Sequence, residues 1–118
     1  MVDLEQLRRQ VADFALERDW DQFHSVRNLI LALVGEVGEV AEIVQWVGDD
    51  GMEDLLSSDG RKRLAQELSD VLIYLVRIAD RSGIDLAEAV TEKLAENDEK
   101  YPSDKARGNS KKYTELVD

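Results

Sequence analysis

Apolar positions recur three and four residues apart along most of the chain, and no stretch alternates with the period of two that a half-buried strand needs. Leu4, Leu7, Val11, Phe14 and Ala15 make the first stripe, with Asp3 and Gln6 spaced as a capping box, so the pattern predicts a helix over 4–18. Residues 19–24 interrupt it as a connector. Ser25 is placed to cap a second helix that runs to Val47 and stops at Gly48. Residues 49–60 are acidic and glycine-bearing and read as a loop with at most one short turn. A third helix is predicted over 61–82, ending at Gly83. Asp85 with Glu88 forms a second capping box, flanked by Ile84 and Ala89, and a fourth helix follows as far as Lys100 before Tyr101-Pro102 ends it. The one proline is Pro102, so nothing earlier forbids long helices. The expected fold class is all-α, a four-helix bundle over residues 1–102. A polar tail follows at 103–118, made basic in its first part by Lys105, Arg107, Lys111 and Lys112.

The second and third helices depart from the surface-helix pattern. Leu29-Ile30-Leu31-Ala32-Leu33-Val34 and Val71-Leu72-Ile73-Tyr74-Leu75-Val76 are apolar on every side, and such a helix must be covered all round. A chain of 118 residues has too few elements to cover two of them from within. Self-association is expected.

Composition narrows the classes. The chain has no cysteine, which removes disulfides and thiolate metal sites and suits a cytoplasmic setting. Its first residues carry charge where a secretory signal would be apolar, and its longest apolar runs are too short for a membrane span. A net charge of −11 argues against a nucleic-acid polymer as partner. It does not argue against one small anion, because a cation held by clustered carboxylates inverts the local field.

Such a cluster is present. Glu36-Val37-Gly38-Glu39 and Glu67-Leu68-Ser69-Asp70 each place two acids at i and i+3, about 60° apart on one helix face, beside the most apolar segments of the chain. Four unpaired negative charges there would be very unfavourable, and a divalent cation relieves both the burial and the mutual repulsion. Oxygen-only ligands suit Mg²⁺ or Mn²⁺ rather than zinc. Taken singly, a Glu-x-x-Glu is more often a solvated face. Two of them in apolar helices, with Gly35 and Gly38 at positions that suggest close approach of a backbone or ligand, favour the metal.

Tyr74, Arg77 and Arg81 continue the Glu67–Asp70 face at helical spacing, offering a hydroxyl and guanidinium groups to a polyphosphate. Arg77 alone reads better as a partner for surface acids. Trp20, Phe23 and His24 precede the second helix and Trp46 closes it, an arrangement that can stack a base, although either tryptophan is more commonly core. Lys93, Asn97 and Tyr101 share one stripe of the fourth helix, and each singly reads as surface.

These residues resemble the MazG-like, all-α nucleoside triphosphate pyrophosphatases, whose signature is the Glu36-x-x-Glu39 and Glu67-x-x-Asp70 pair. The segments 17–24, 27–29, 31–39, 45–46, 67–76 and 111–116 are similar to the dCTP pyrophosphatase branch. The resemblance implies a magnesium-dependent conversion of dCTP and water to dCMP and diphosphate, by attack of an activated water at the α-phosphorus. It implies Glu36, Glu39, Glu67 and Asp70 as metal ligands, with Glu36 taken as the general base. It implies Trp20, His24, Asn28, Trp46 and Tyr74 around the base, with Arg81, Lys93, Asn97 and Tyr101 at the sugar and phosphates. It also implies a homotetramer built as a dimer of dimers. Val26 stands where relatives often carry proline, and the loop 48–60 differs in sequence and length.

A di-iron carboxylate bundle would need Glu-x-x-His on two helices, and the chain has one histidine. A non-catalytic helical interaction module explains the apolar helices but leaves four co-facial carboxylates without a role. Within the enzyme reading, the alternatives are related pyrophosphatases for dUTP, dATP or a modified nucleotide.

Overall fold

The structure is a computed structural model and describes residues 2–116. Its α-helices are α1 (Leu4–Glu17), α2 (Val26–Val44), α3 (Met52–Leu56), α4 (Asp59–Arg81), α5 (Leu86–Lys100) and α6 (Ser103–Ala106), and no strand occurs among the described residues. Six helices thus replace the expected four. The long ones are those the periodicity predicts. The short α3 and α6, with 3-10 turns at Asp49–Gly51 and Tyr113–Glu115, lie where a loop and a tail were expected. Segments of four or five residues carry too little periodicity to announce themselves.

Local chemistry sets the ends. Asp3 and Gln6 form a complete capping box at α1, and Ser25 accepts from Asn28 N at 3.1 Å to start α2. Asp85 accepts from Glu88 N at 3.1 Å to start α5. Ser58 caps α4, which therefore begins at Asp59 rather than at Arg61. At the other end of α2 the expectation fails. The helix stops at Val44, and Gly48 has φ −76°, so it is not the left-handed terminator predicted there. Gly83 does play that part after α4, at φ +69°.

The chain forms two compact units, residues 1–84 and 85–118. In the first, α4 packs against α1 and α2, and α3 sits on α4. The buried apolar residues are Ala15 of α1, Leu29 and Ile43 of α2, and Val76 and Ala79 of α4. The other side of α2 is bare: Leu31 is 55% exposed and Val34 65%. In the second unit Tyr101 meets Tyr113 edge-on, with centroids 6.2 Å apart, and Lys100 lies over the Tyr113 ring. No described helix is long and apolar enough to cross a membrane.

Candidate metal centre and base pocket

Because α2 and α4 pack side by side, their acidic turns meet. One carboxylate oxygen from each of Glu36, Glu67 and Asp70 falls within 4.8 Å of the others. Glu39 lies close enough to this group to act electrostatically on both Glu67 and Glu36. The environment resists four negative charges. The Glu67 carboxyl is pushed up first by the adjacent Glu39 carboxyl, then by burial and the charges of Glu39, Asp70 and Glu36. Glu36 is pushed up first by burial, then by the charges of Glu39 and Asp70. Glu36 Oε2 and Glu67 Oε2 are buried with no hydrogen-bond partner among the described residues. Two orphaned acceptors within a set of hard oxygen donors fit a divalent cation such as Mg²⁺. The Tyr74 hydroxyl, one turn beyond Asp70, also feels the cluster: burial raises it first, then the charges of Glu36, Asp70 and Glu39.

A second constellation forms at the start of α2. Residues 15–20 close α1 with Asp19 in the left-handed region at φ +53°, and Trp20 N donates back to Ala15 O at 2.9 Å. This turn sets Trp20 edge-on to Phe14 at 5.6 Å and to His24 at 6.3 Å. A 3-10 turn over Asp21–Phe23 then delivers His24 to the head of α2. Asn28 Nδ2 donates to Phe23 O at 3.3 Å, tying the turn to the helix. Arg81 Nε donates to His24 O at 3.0 Å.

Arg77 is the residue that sequence spacing undervalues. It is 4% exposed, and its guanidinium reaches Asp21 at 2.6 Å, Asp80 at 3.3 Å and His24 Nδ1 at 3.1 Å. It is therefore a partner for acids, as its alternative reading held, but a buried one. Burial holds the His24 imidazole below its ordinary range, helped by Arg77 and Arg81 and opposed by Asp21.

The remaining candidates sit on other elements. Trp46 lies two residues past the end of α2 and is 89% exposed. On α5, in the second unit, Lys93 pairs with Glu96 at 3.5 Å and Asn97 is half-buried, and Tyr101, just past its end, packs against Tyr113. Gly35 and Gly38 have no packing neighbour within 4 Å of where a Cβ would be, so none of the described residues outside their own helix makes the close approach expected there.

A helical protein that faces Glu-x-x-Glu against Glu-x-x-Asp across two packed helices is defined as a class by that carboxylate centre. The MazG-like family matches residues 32–116, and the chain belongs to it. It is 55% identical over 115 residues to human dCTP pyrophosphatase 1, covering 96% of this chain and 67% of that protein. The mouse protein of the same name is 52% identical over 114 residues, with the same coverage. Among solved structures, a pyrophosphatase from Archaeoglobus fulgidus superposes with a TM-score of 0.78 at 33% identity, covering 86% of this chain and 94% of that one.

Proposed function

We propose that the chain is a magnesium-dependent nucleoside triphosphate pyrophosphohydrolase whose substrate is dCTP, giving dCMP and diphosphate. The observation that carries this reading is the carboxylate cluster with its two orphaned oxygens, in a chain 55% identical to a dCTP pyrophosphatase. Glu36, Glu39, Glu67 and Asp70 would hold Mg²⁺, or Mn²⁺ in its place. When bound, the cation supplies positive charge to the phosphate oxygens and the leaving diphosphate.

The side chains have the following parts. Glu36, with an acceptor oxygen free, takes a proton from the water that attacks the α-phosphorus; the bond to the α,β-bridging oxygen breaks, and diphosphate leaves. Trp20, His24, Asn28, Trp46 and Tyr74 receive the base through aromatic faces and a few polar groups. Arg81, Lys93, Asn97 and Tyr101 supply the guanidinium, ammonium, amide and phenol donors that sugar and phosphates accept from. Assembly into a homotetramer, a dimer of dimers, is supported by the exposed apolar side of α2.

The test is diphosphate release from a panel of all ribo- and deoxyribonucleoside triphosphates, with Mg²⁺ and with a chelator. The expected result is metal-dependent release fastest from dCTP. Preference for dUTP, dATP or a modified nucleotide would replace the substrate, and no release from any of them would leave a non-catalytic helical module.

A further inference from the structure

The hydrogen-bond chemistry of Arg77 has a consequence for the base pocket. A guanidinium carries only donors and keeps its proton in proteins, so whatever receives its Nε–H must be an acceptor. The receiver is His24 Nδ1, at 3.1 Å. A neutral imidazole with a bare Nδ1 carries its hydrogen on Nε2, whereas an imidazolium would set N–H against N–H. The guanidinium is itself fixed, because its other nitrogens are committed to Asp21 Oδ1 and Asp80 Oδ2. The ring is fixed from the backbone side as well: His24 N donates to Asp21 O at 3.1 Å, and Arg81 holds His24 O. Nε2 has no hydrogen-bond partner among the described residues, and the Trp20 ring stands beside the same imidazole.

We propose that Arg77 is a positioning residue for nucleotide recognition: by bonding His24 Nδ1 it locks the single histidine as the Nε2–H tautomer and presents one directed donor to an acceptor on the base edge. This rests on the reading of His24 as a base-pocket residue. On a cytosine the acceptors of that kind are O2 and N3. Arg77 touches no substrate in this role. It acts through the imidazole and through Asp21, which opens the turn carrying His24. Burial and the two neighbouring guanidinium groups disfavour the protonated ring, in keeping with a neutral donor.

The chain contains one histidine, so ¹⁵N-histidine labelling reports His24 alone. Two-bond ¹H–¹⁵N correlation spectra of the wild-type protein at neutral pH should show a protonated Nε2 and a bare Nδ1. A dominant Nδ1–H form, or an even mixture, overturns the proposal without any variant, which matters if a change at buried Arg77 prevents folding. Where Arg77→Lys folds, His24 should pass to a tautomer mixture. KM for dCTP should rise about tenfold, the loss of roughly one net hydrogen bond, with kcat and half-saturating Mg²⁺ little changed. In a His24→Ala background the same substitution should add no further rise in KM. An Arg77→Lys protein with the wild-type tautomer and KM overturns the assignment. A wild-type protein that shows the Nε2–H tautomer but hydrolyses no nucleotide refutes the pyrophosphohydrolase reading instead, and leaves the tautomer lock standing.

Discussion

At Glu36 and Glu67 the chain holds carboxyl oxygens away from water with nothing among the described residues to donate to them. Without a cation that arrangement opposes folding, because like charges and burial both disfavour the ionised form. Replacing either acid by an amide removes one charge and supplies a donor for the neighbouring carboxylates. Glu36→Gln and Glu67→Gln should therefore melt a few degrees higher than the wild type in chelator, while losing activity. Mg²⁺ should raise the wild-type melting temperature and leave the variants nearly unmoved, since a ligand stabilises only the fold that binds it. Differential scanning calorimetry with and without Mg²⁺ decides this, and variants that melt lower in chelator would contradict it. The carboxylate pairs were legible in the sequence because i and i+3 share a face on any helix, whatever packs against it. Arg77 was not. Its partners Asp21 and His24 lie 56 and 53 residues away, and only the antiparallel packing of α2 on α4 brings them together.

At the scale of elements, α1 and α4 end in the same device. In each, one residue in the left-handed region lets the next N–H reach back to a carbonyl five residues earlier: Trp20 to Ala15 after Asp19, and Ile84 to Ala79 after Gly83. Glycine adopts that conformation without strain, and the space around Gly83 is open, so only the backbone resists a side chain there. Gly83→Ala should lower stability by about 1–2 kcal/mol. Urea unfolding should show a lower midpoint at an unchanged slope. A midpoint equal to wild type would mean that α4 ends by another means. Gly83 was readable as a helix stop because a strong apolar period runs up to it. Gly48 was misread for the complementary reason: the helix had already ended at Val44, where Val47 N turns back to Val44 O, and no residue type marks that turn. Gly35 and Gly38 keep their positions mid-helix with open space around them, although alanine would favour the helix by about 1 kcal/mol at each.

At the scale of the whole molecule, the apolar side of α2 faces outward in a single chain, as its all-round apolarity foretold, and light scattering at micromolar concentration should give a tetramer rather than a monomer. Such an assembly would bear directly on the proposed base pocket. α2 has 19 residues and is about 28 Å long at 1.5 Å per residue. Trp20 is held beside His24 just before its first turn, and Trp46 lies just past its last. With Trp20 beside the head of α2 and Trp46 past its end, the two tryptophans of one chain stand about a helix length apart, too far to flank one base. In the proposed assembly Trp46, 89% exposed, would be placed to enter a neighbour's site. A stacking residue contributes about 1–3 kcal/mol per base, so Trp46→Ala should raise KM for dCTP by about ten- to a hundredfold with little change in Mg²⁺ dependence. Subunit mixing separates the two routes. An Asp70→Asn subunit lacks a metal ligand but retains Trp46, and a Trp46→Ala subunit has the reverse defect. In mixed tetramers a site built across chains regains both parts where the Trp46→Ala carboxylates meet the other subunit's tryptophan, so tight-binding activity should return in part. If subunits demonstrably exchange and no such activity returns, the pocket is made within one chain and the exposed tryptophan has some other use.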